Sequence, residues 1–204
     1  MEQLLLISFG WLLGLLAPAI QKKIGQRYRA NELKEAIVAE LQEHRFRMAV
    51  VSYKMRTRDG ELSDEFLSWF EKVLLSYKGP ETKSAFLEMV AASRRLPVEE
   101  RRQFLLSRRD PNVGVALVAY AVPLLEAHMG EISIFPMIFQ TATLRVKGQV
   151  DIYNQQVVYL QGQFDKTFVT SISERNLANL KANLEIGYQD LGNRARLIAD
   201  LIGQ

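Results

Sequence analysis

The chain has 204 residues, 48% of them apolar, enough for one compact core after a membrane-length segment is set aside. Its net charge of +3 and pI near 9.1 fall short of the bias of a dedicated nucleic-acid binder. Cysteine is absent, which excludes disulfides, thiol catalysis and thiolate metal sites and leaves the compartment to be read from topology.

From Leu4 to Ile20 no residue is charged. A run of about 17 residues is the lower limit for a helix crossing a hydrocarbon core of roughly 30 Å. Lys22, Lys23, Arg27 and Arg29 follow directly, whereas Glu2 is the only charged side chain before the run. The positive-inside rule therefore puts the N-terminus outside and the rest in the cytoplasm, with these four cations against anionic lipid headgroups. Two other readings compete. A signal peptide explains Ala17-Pro18-Ala19 as a cleavage site, but the basic stretch that should precede it is missing. A buried or interfacial helix of a soluble protein also suits so short a run. Within the run Gly10 and Gly14 form a G-x-x-x-G pattern, and Ala17 lies near the same face, a spacing that lets two membrane helices pair closely. The simpler alternative is a lipid-facing groove. The expected plan is an anchor over 1–21, a basic juxtamembrane segment over 22–30 and a cytoplasmic helical bundle over 31–204.

Between Gln21 and Arg58 there is no proline and one glycine, Gly25, so the anchor should run nearly straight into a long amphipathic helix. Leu33, Ile37, Leu41, Met48, Val51 and Met55 mark its inner face; Glu35, Glu43, Arg47, Lys54 and Arg58 mark the outer one. Asp59-Gly60 closes it as a turn. The next helix has Ser63 as its cap, a Leu62–Leu67 staple, an apolar stripe of Phe66, Phe70, Val73, Leu74 and Tyr77, and a stop at Gly79-Pro80. Residues 81–95 form a third helix with Phe86, Met89 and Val90 inward, halted before Pro97, and a short one follows to about Arg109.

Asp110-Pro111 reads as a cap with proline in the first turn, opening the most apolar internal stretch, Val113 to Leu125. It is too short for a second span and is expected to be the central core helix. A long helix then runs from Pro136 to about Phe168, with Val146, Val150, Tyr153, Val157, Leu160 and Phe164 as a heptad seam. Ser171 and Glu174 make a capping box for a last helix, which turns Leu177, Leu184, Tyr188, Leu191, Ala195, Ile198 and Ile202 to one side. The two long helices should pair antiparallel within one chain rather than as a coiled coil between chains. The expected fold is all-α: an N-terminal single transmembrane helix, then an antiparallel multi-helix bundle with two long C-terminal helices.

Chemistry is sparse. The two histidines are His44, on the apolar stripe, and His128; the residues three before them are Leu41 and Leu125, so no Glu-x-x-His metal pair exists. Glu40 and His44 sit four apart, where a surface hydrogen bond or a buried histidine outranks a metal. Phosphate-binding, dinucleotide-binding and nucleophile-elbow motifs are missing. Glu99-Glu100 lie beside Arg101-Arg102 as solvated charge. No catalytic residue, metal, cofactor or small-molecule substrate is expected.

One charge pattern stands out, the arginine pairs Arg94-Arg95, Arg101-Arg102 and Arg108-Arg109, seven residues apart. Such a row suits an anionic partner, a membrane surface before nucleic acid, because no stacking aromatics interleave with it. Pro97 interrupts it, and a solvated, internally paired surface is the plainer reading. The expected role is a non-enzymatic scaffold that presents its bundle to a protein partner or a second copy at the membrane. An alternative is a membrane effector of the toxin or phage-defence kind, assembling through Gly10, Gly14 and the C-terminal helices.

Overall fold

The computed structural model describes residues 2–79, 83–109, 115–169 and 172–204, and for residues 2–10 and 12–20 the backbone alone. With nothing to break the i to i−4 ladder before Gly60, the chain opens as one helix, α1 (Glu2–Asp59). It passes through all three expected segments without interruption. Gly60 ends it at φ +72°, a conformation that favours glycine. α2 (Asp64–Ser76) follows as expected: the Ser63 hydroxyl accepts from the Phe66 amide at 3.1 Å, and Leu62 and Leu67 are both buried. α3 (Lys83–Arg94) and α4 (Val98–Ser107) are short, and Pro97 separates them.

The core is built around the second half of α1. Phe46, Met48, Ala49, Val51, Ser52, Tyr53 and Met55 are all buried, more than one face of a helix can supply. α7 (Glu174–Ile202) covers one side, and α2, α4 and α5 (Pro123–Ala127) cover others. α1, not the apolar stretch Val113–Leu125, is thus the central helix. Residues 115–122 of that stretch belong to no helix, and 113 and 114, like Asp110 and Pro111, lie outside the described residues.

Pro123 explains the difference. It cannot continue a helix from its N-terminal side and biases the residue before it away from helical backbone, so it opens α5 instead. Side chains of α6 (Met137–Lys166) pair with backbone groups of this non-helical segment. Asn154 accepts from the Tyr120 amide at 2.9 Å and donates to its carbonyl at 2.8 Å. Gln161 donates to the Leu117 carbonyl at 3.0 Å. Glu40 of α1 accepts the Leu124 and Leu125 amides at 2.8 and 2.9 Å, which ties α5 to the central helix.

A 3-10 helix (Met129–Ile134) leads into α6. Val146, Val150, Tyr153, Val157 and Leu160 of α6 are buried and Phe164 is partly so, against Leu184, Tyr188, Leu191, Ala195 and Ile198 of α7. The seam closes within the chain, in a helical bundle. Cross-contacts give the directions. Gln156 meets Gly187 while Arg194 meets Gln149, so α6 and α7 are antiparallel. Arg58 meets Glu185 while Arg45 meets Ala199, so α1 and α7 are antiparallel and α6 runs parallel to α1.

Two local expectations are corrected. α7 begins after Ser173, whose hydroxyl accepts from the Asn176 amide at 3.4 Å; Glu174 is then the first helical residue, and Ser171 lies outside the described residues. Met89 points outward, 47% exposed, because α3 touches the core on the side of Val90 and Phe86. The all-α bundle holds. Among the described residues no helix is long and apolar enough to cross a membrane, and the side chains of the Leu4–Ile20 run lie, apart from Trp11, outside that set.

α7 approaches α1 closely at Gly192, where a Cβ would lie 2.7 Å from the Met55 Cβ. Gly192→Val should cost about 2–3 kcal/mol by overpacking, seen as a lower urea midpoint in circular dichroism. Gly148→Ala, where nothing lies within 4 Å, should gain up to about 1 kcal/mol in helix propensity. Equal effects at the two glycines would show that the α1–α7 approach is not tight.

Candidate functional site

The four cations expected at the membrane, Lys22, Lys23, Arg27 and Arg29, are exposed on α1 just beyond the apolar run. At 100° per residue they cover roughly half the helix circumference. Arg29 lies 3.8 Å from the Glu131 carboxylate; Lys22, Lys23 and Arg27 form no ion pair among the described residues. The collar is therefore open to anionic groups. The surroundings of Gly10, Gly14 and Ala17 lie outside the described residues.

The six arginines are not gathered into one row. Arg101 is 3% exposed and works as a clamp, donating to the carbonyls of Ser93 at 2.8 Å, Leu62 at 2.5 Å and Leu96 at 3.0 Å, and to the Asp64 carboxylate at 2.8 Å. Reaching back from the first turn of α4, it satisfies the last carbonyls of α3 and holds both to the start of α2. Arg94 pairs with Glu71 at 2.8 Å. Arg109 pairs with Glu185, which Arg58 also grips through both terminal nitrogens at 2.5 and 2.7 Å. Burial works to raise the Glu185 pKa; the two guanidiniums outweigh it and hold the carboxyl below its ordinary value. Arg95 and Arg102 are exposed, and Arg108 lies 4.4 Å over the Phe104 ring.

What the arginines do form is one wall of an open cleft of about 780 Å³. Lys54, Arg58, Arg108 and Arg109 supply its positive rim, and Met89 and Phe104 its apolar surface. Sequence periodicity does not show it, because it depends on Met89 facing out. It holds cations and apolar surface but no nucleophile paired with a base.

His44 is buried on α1, edge-on to Tyr120 with ring centroids 6.0 Å apart. Its Nε2 has no hydrogen-bond partner among the described residues. Burial first, and Arg47 second, lower its pKa to about 4. Glu40 does not bond to it, both carboxylate oxygens being engaged at the start of α5. His128 meets Glu131 at 3.1 Å on the surface. Among the described residues no group of three His, Cys, Asp or Glu side chains could hold a metal.

The outer face of α6 and α7 was not anticipated. Ile152, Tyr159 and Leu197 are exposed around a groove of about 690 Å³ whose polar wall is Asp190, Asn193 and Arg194. Gln149 and Gln156 hold Arg194 in place. The signal was present: Leu144, Ile152 and Tyr159 form a second apolar row, eight and seven residues apart, beside the seam. No family model, curated protein or solved structure matches this chain. Its function has to be argued from these surfaces.

Removing the clamp with Arg101→Ala should cost about 1–3 kcal/mol, because buried carbonyls lose their donor while Asp64, mostly exposed, is left to water. Arg102→Ala should stay within about 0.5 kcal/mol in the same urea titration. His44 gives a pH signature. Its unfolded pKa is near 6.5 and its folded pKa about 4, so between those values the unfolded chain binds more protons and stability falls as pH drops. The loss should reach roughly 2 kcal/mol by pH 5. His44→Leu should remove that part of the pH profile; identical profiles would mean that His44 is not buried neutral.

Proposed function

We propose that this chain is a membrane-anchored, non-enzymatic scaffold whose helical bundle lies on the cytoplasmic side and offers the outer face of α6 and α7 to a protein partner. The observation that carries the reading is the unbroken course of α1, which makes the apolar run from Leu4 to Ile20 and the central helix of the core one piece. A bilayer that held the first third of α1 would hold the whole bundle at its surface. The collar of Lys22, Lys23, Arg27 and Arg29 supports the same topology.

The α6–α7 groove is preferred as the partner face over the positive cleft. It joins large exposed apolar side chains to fixed polar groups on two long, rigid helices, the composition of an interface centre with its rim. The cleft is an open surface whose rim is mostly cationic, without the fixed polar groups that accompany the groove.

In a bacterial host, carbonate and urea washes should leave the full-length protein in the membrane pellet, and a C-terminal tag should resist protease added to sealed spheroplasts. Release by the washes removes the anchor, and digestion of the tag reverses the topology. A photo-crosslinking residue at Tyr159 should form one discrete adduct in membranes, which Leu197→Glu abolishes without changing the helical signal. Adduct formation that ignores Leu197→Glu moves the partner face elsewhere.

A further inference from the structure

The foot of the bundle carries apolar surface that neither the core nor the α6–α7 groove uses. Ile134, Met137 and Ile138 are 51%, 72% and 85% exposed, where the 3-10 helix passes into α6. Their neighbours Phe135 and Phe139 turn toward the core and pack edge to face at 5.0 Å. The stretch is thus divided, two aromatics inward and three large aliphatics outward.

Two contacts set the height of this tip against α1. The Glu131 carboxylate faces Arg29 at 3.8 Å, and the Lys34 ammonium lies 5.4 Å from the centre of the Phe139 ring. Because α6 runs parallel to α1, its first turn is the end nearest the apolar run. From Ile20 to Arg29 and to Lys34 is nine and fourteen residues, rises of about 14 and 21 Å. A headgroup layer of about 5–8 Å, a side-chain length and a helix tilt of about 20° that leans α6 toward the bilayer together reach the lower of these heights, where the tip begins.

The chemistry between tip and run has the same character. Ile24 and Tyr28 are exposed on α1, interleaved with Lys22, Lys23, Arg27 and Arg29. Glu131, an acid at the tip, is met by Arg29 and His128. Glu32 and Glu35 are exposed on α1 beside the tip, and the unpaired cations Lys22, Lys23 and Arg27 lie below it, on the side of the apolar run. Exposed aliphatics next to such a cationic band are the surface expected of a segment lying in an anionic lipid interface.

We infer that Ile134, Met137 and Ile138 form a second membrane contact, seated in the headgroup layer of an anionic leaflet beside the α1 anchor. The inference rests on the anchored reading and adds to it. One helix alone leaves the bundle free to rotate about the membrane normal and to lean; a second contact some distance from α1 limits the lean and keeps the foot of α6 down. The α6–α7 groove is then presented at a constant height above the bilayer.

The absence of cysteine makes the test clean, since Ile138→Cys and Val158→Cys each give one labelling site on the exposed surface of α6. The full chain, carrying an environment-sensitive dye at either site, is reconstituted into phosphatidylcholine vesicles with and without phosphatidylglycerol. Lipids with a quencher near the headgroup should dim the dye at 138 several-fold more than the dye at 158, and more strongly when phosphatidylglycerol is present. In a Trp69→Phe background Trp11 is the sole tryptophan, and its quenching by deeply brominated lipid reports the anchor independently. Quenched Trp11 with an unquenched dye at 138 overturns the tip contact and leaves the anchor standing. Unquenched Trp11 removes both. A dye at 138 that shifts with protein concentration but ignores quencher lipid assigns the tip to a second copy and overturns the inference.

Discussion

Everything in this bundle depends on the close antiparallel contact between α7 and the second half of α1. Gly192 brings the two backbones together at Met55, and the buried residues of both helices fill the space on either side. Arg58 bonds to Glu185 at one end, and Arg45 to the Ala199 carbonyl toward the other. A helix fixed at both ends and tight in the middle can bury side chains on nearly every face. That is why α1 accommodates Phe46, Ser52 and Tyr53 in directions that an amphipathic surface helix would leave wet. α6 then packs on α7, and the non-helical segment 115–122 is held to α6 at Leu117 and Tyr120.

Helix existence was legible because it depends on short-range pattern. The α6 seam, the α7 stripe, the Ser63 cap and the Gly60 stop each involve residues within a few turns of one another, and each can be read from spacing alone. The stretch Val113–Leu125 was misread because apolar composition reports burial and not conformation. Its backbone polar groups find partners on α6, whose Asn154 and Gln161 lie dozens of residues away. Pro123 was the local signal for a break, and it carries more weight than the run of aliphatics before it.

The arginines show the same limit for surface chemistry. Seven-residue spacing places three pairs on one face only if the helix continues, and Pro97 divides it between α3 and α4. Arg101 is drawn inward because the end of α3 and the turn before α2 present carbonyls within reach of one guanidinium. Its partners come from two separate places in the chain, so no periodicity could name them. Lys22, Lys23 and Arg27, by contrast, stand exposed with no ion pair among the described residues, because no other element packs beside this part of α1 to supply one.

The distribution of charge and apolar surface along α1 then constrains what the bundle can be used for. Toward the N-terminal end the exposed groups are cations with Ile24, Tyr28 and the tip aliphatics, all suited to a lipid interface. Farther along, Arg47 pairs with Glu43, Arg56 with Glu61 and Arg58 with Glu185, while Lys54 of α1 and Arg95 and Arg102 beyond it have no ion pair among the described residues. Open cations are thus not confined to the collar; what distinguishes the flank proposed for a partner is the apolar groove on the outer side of α6 and α7, set among fixed polar groups.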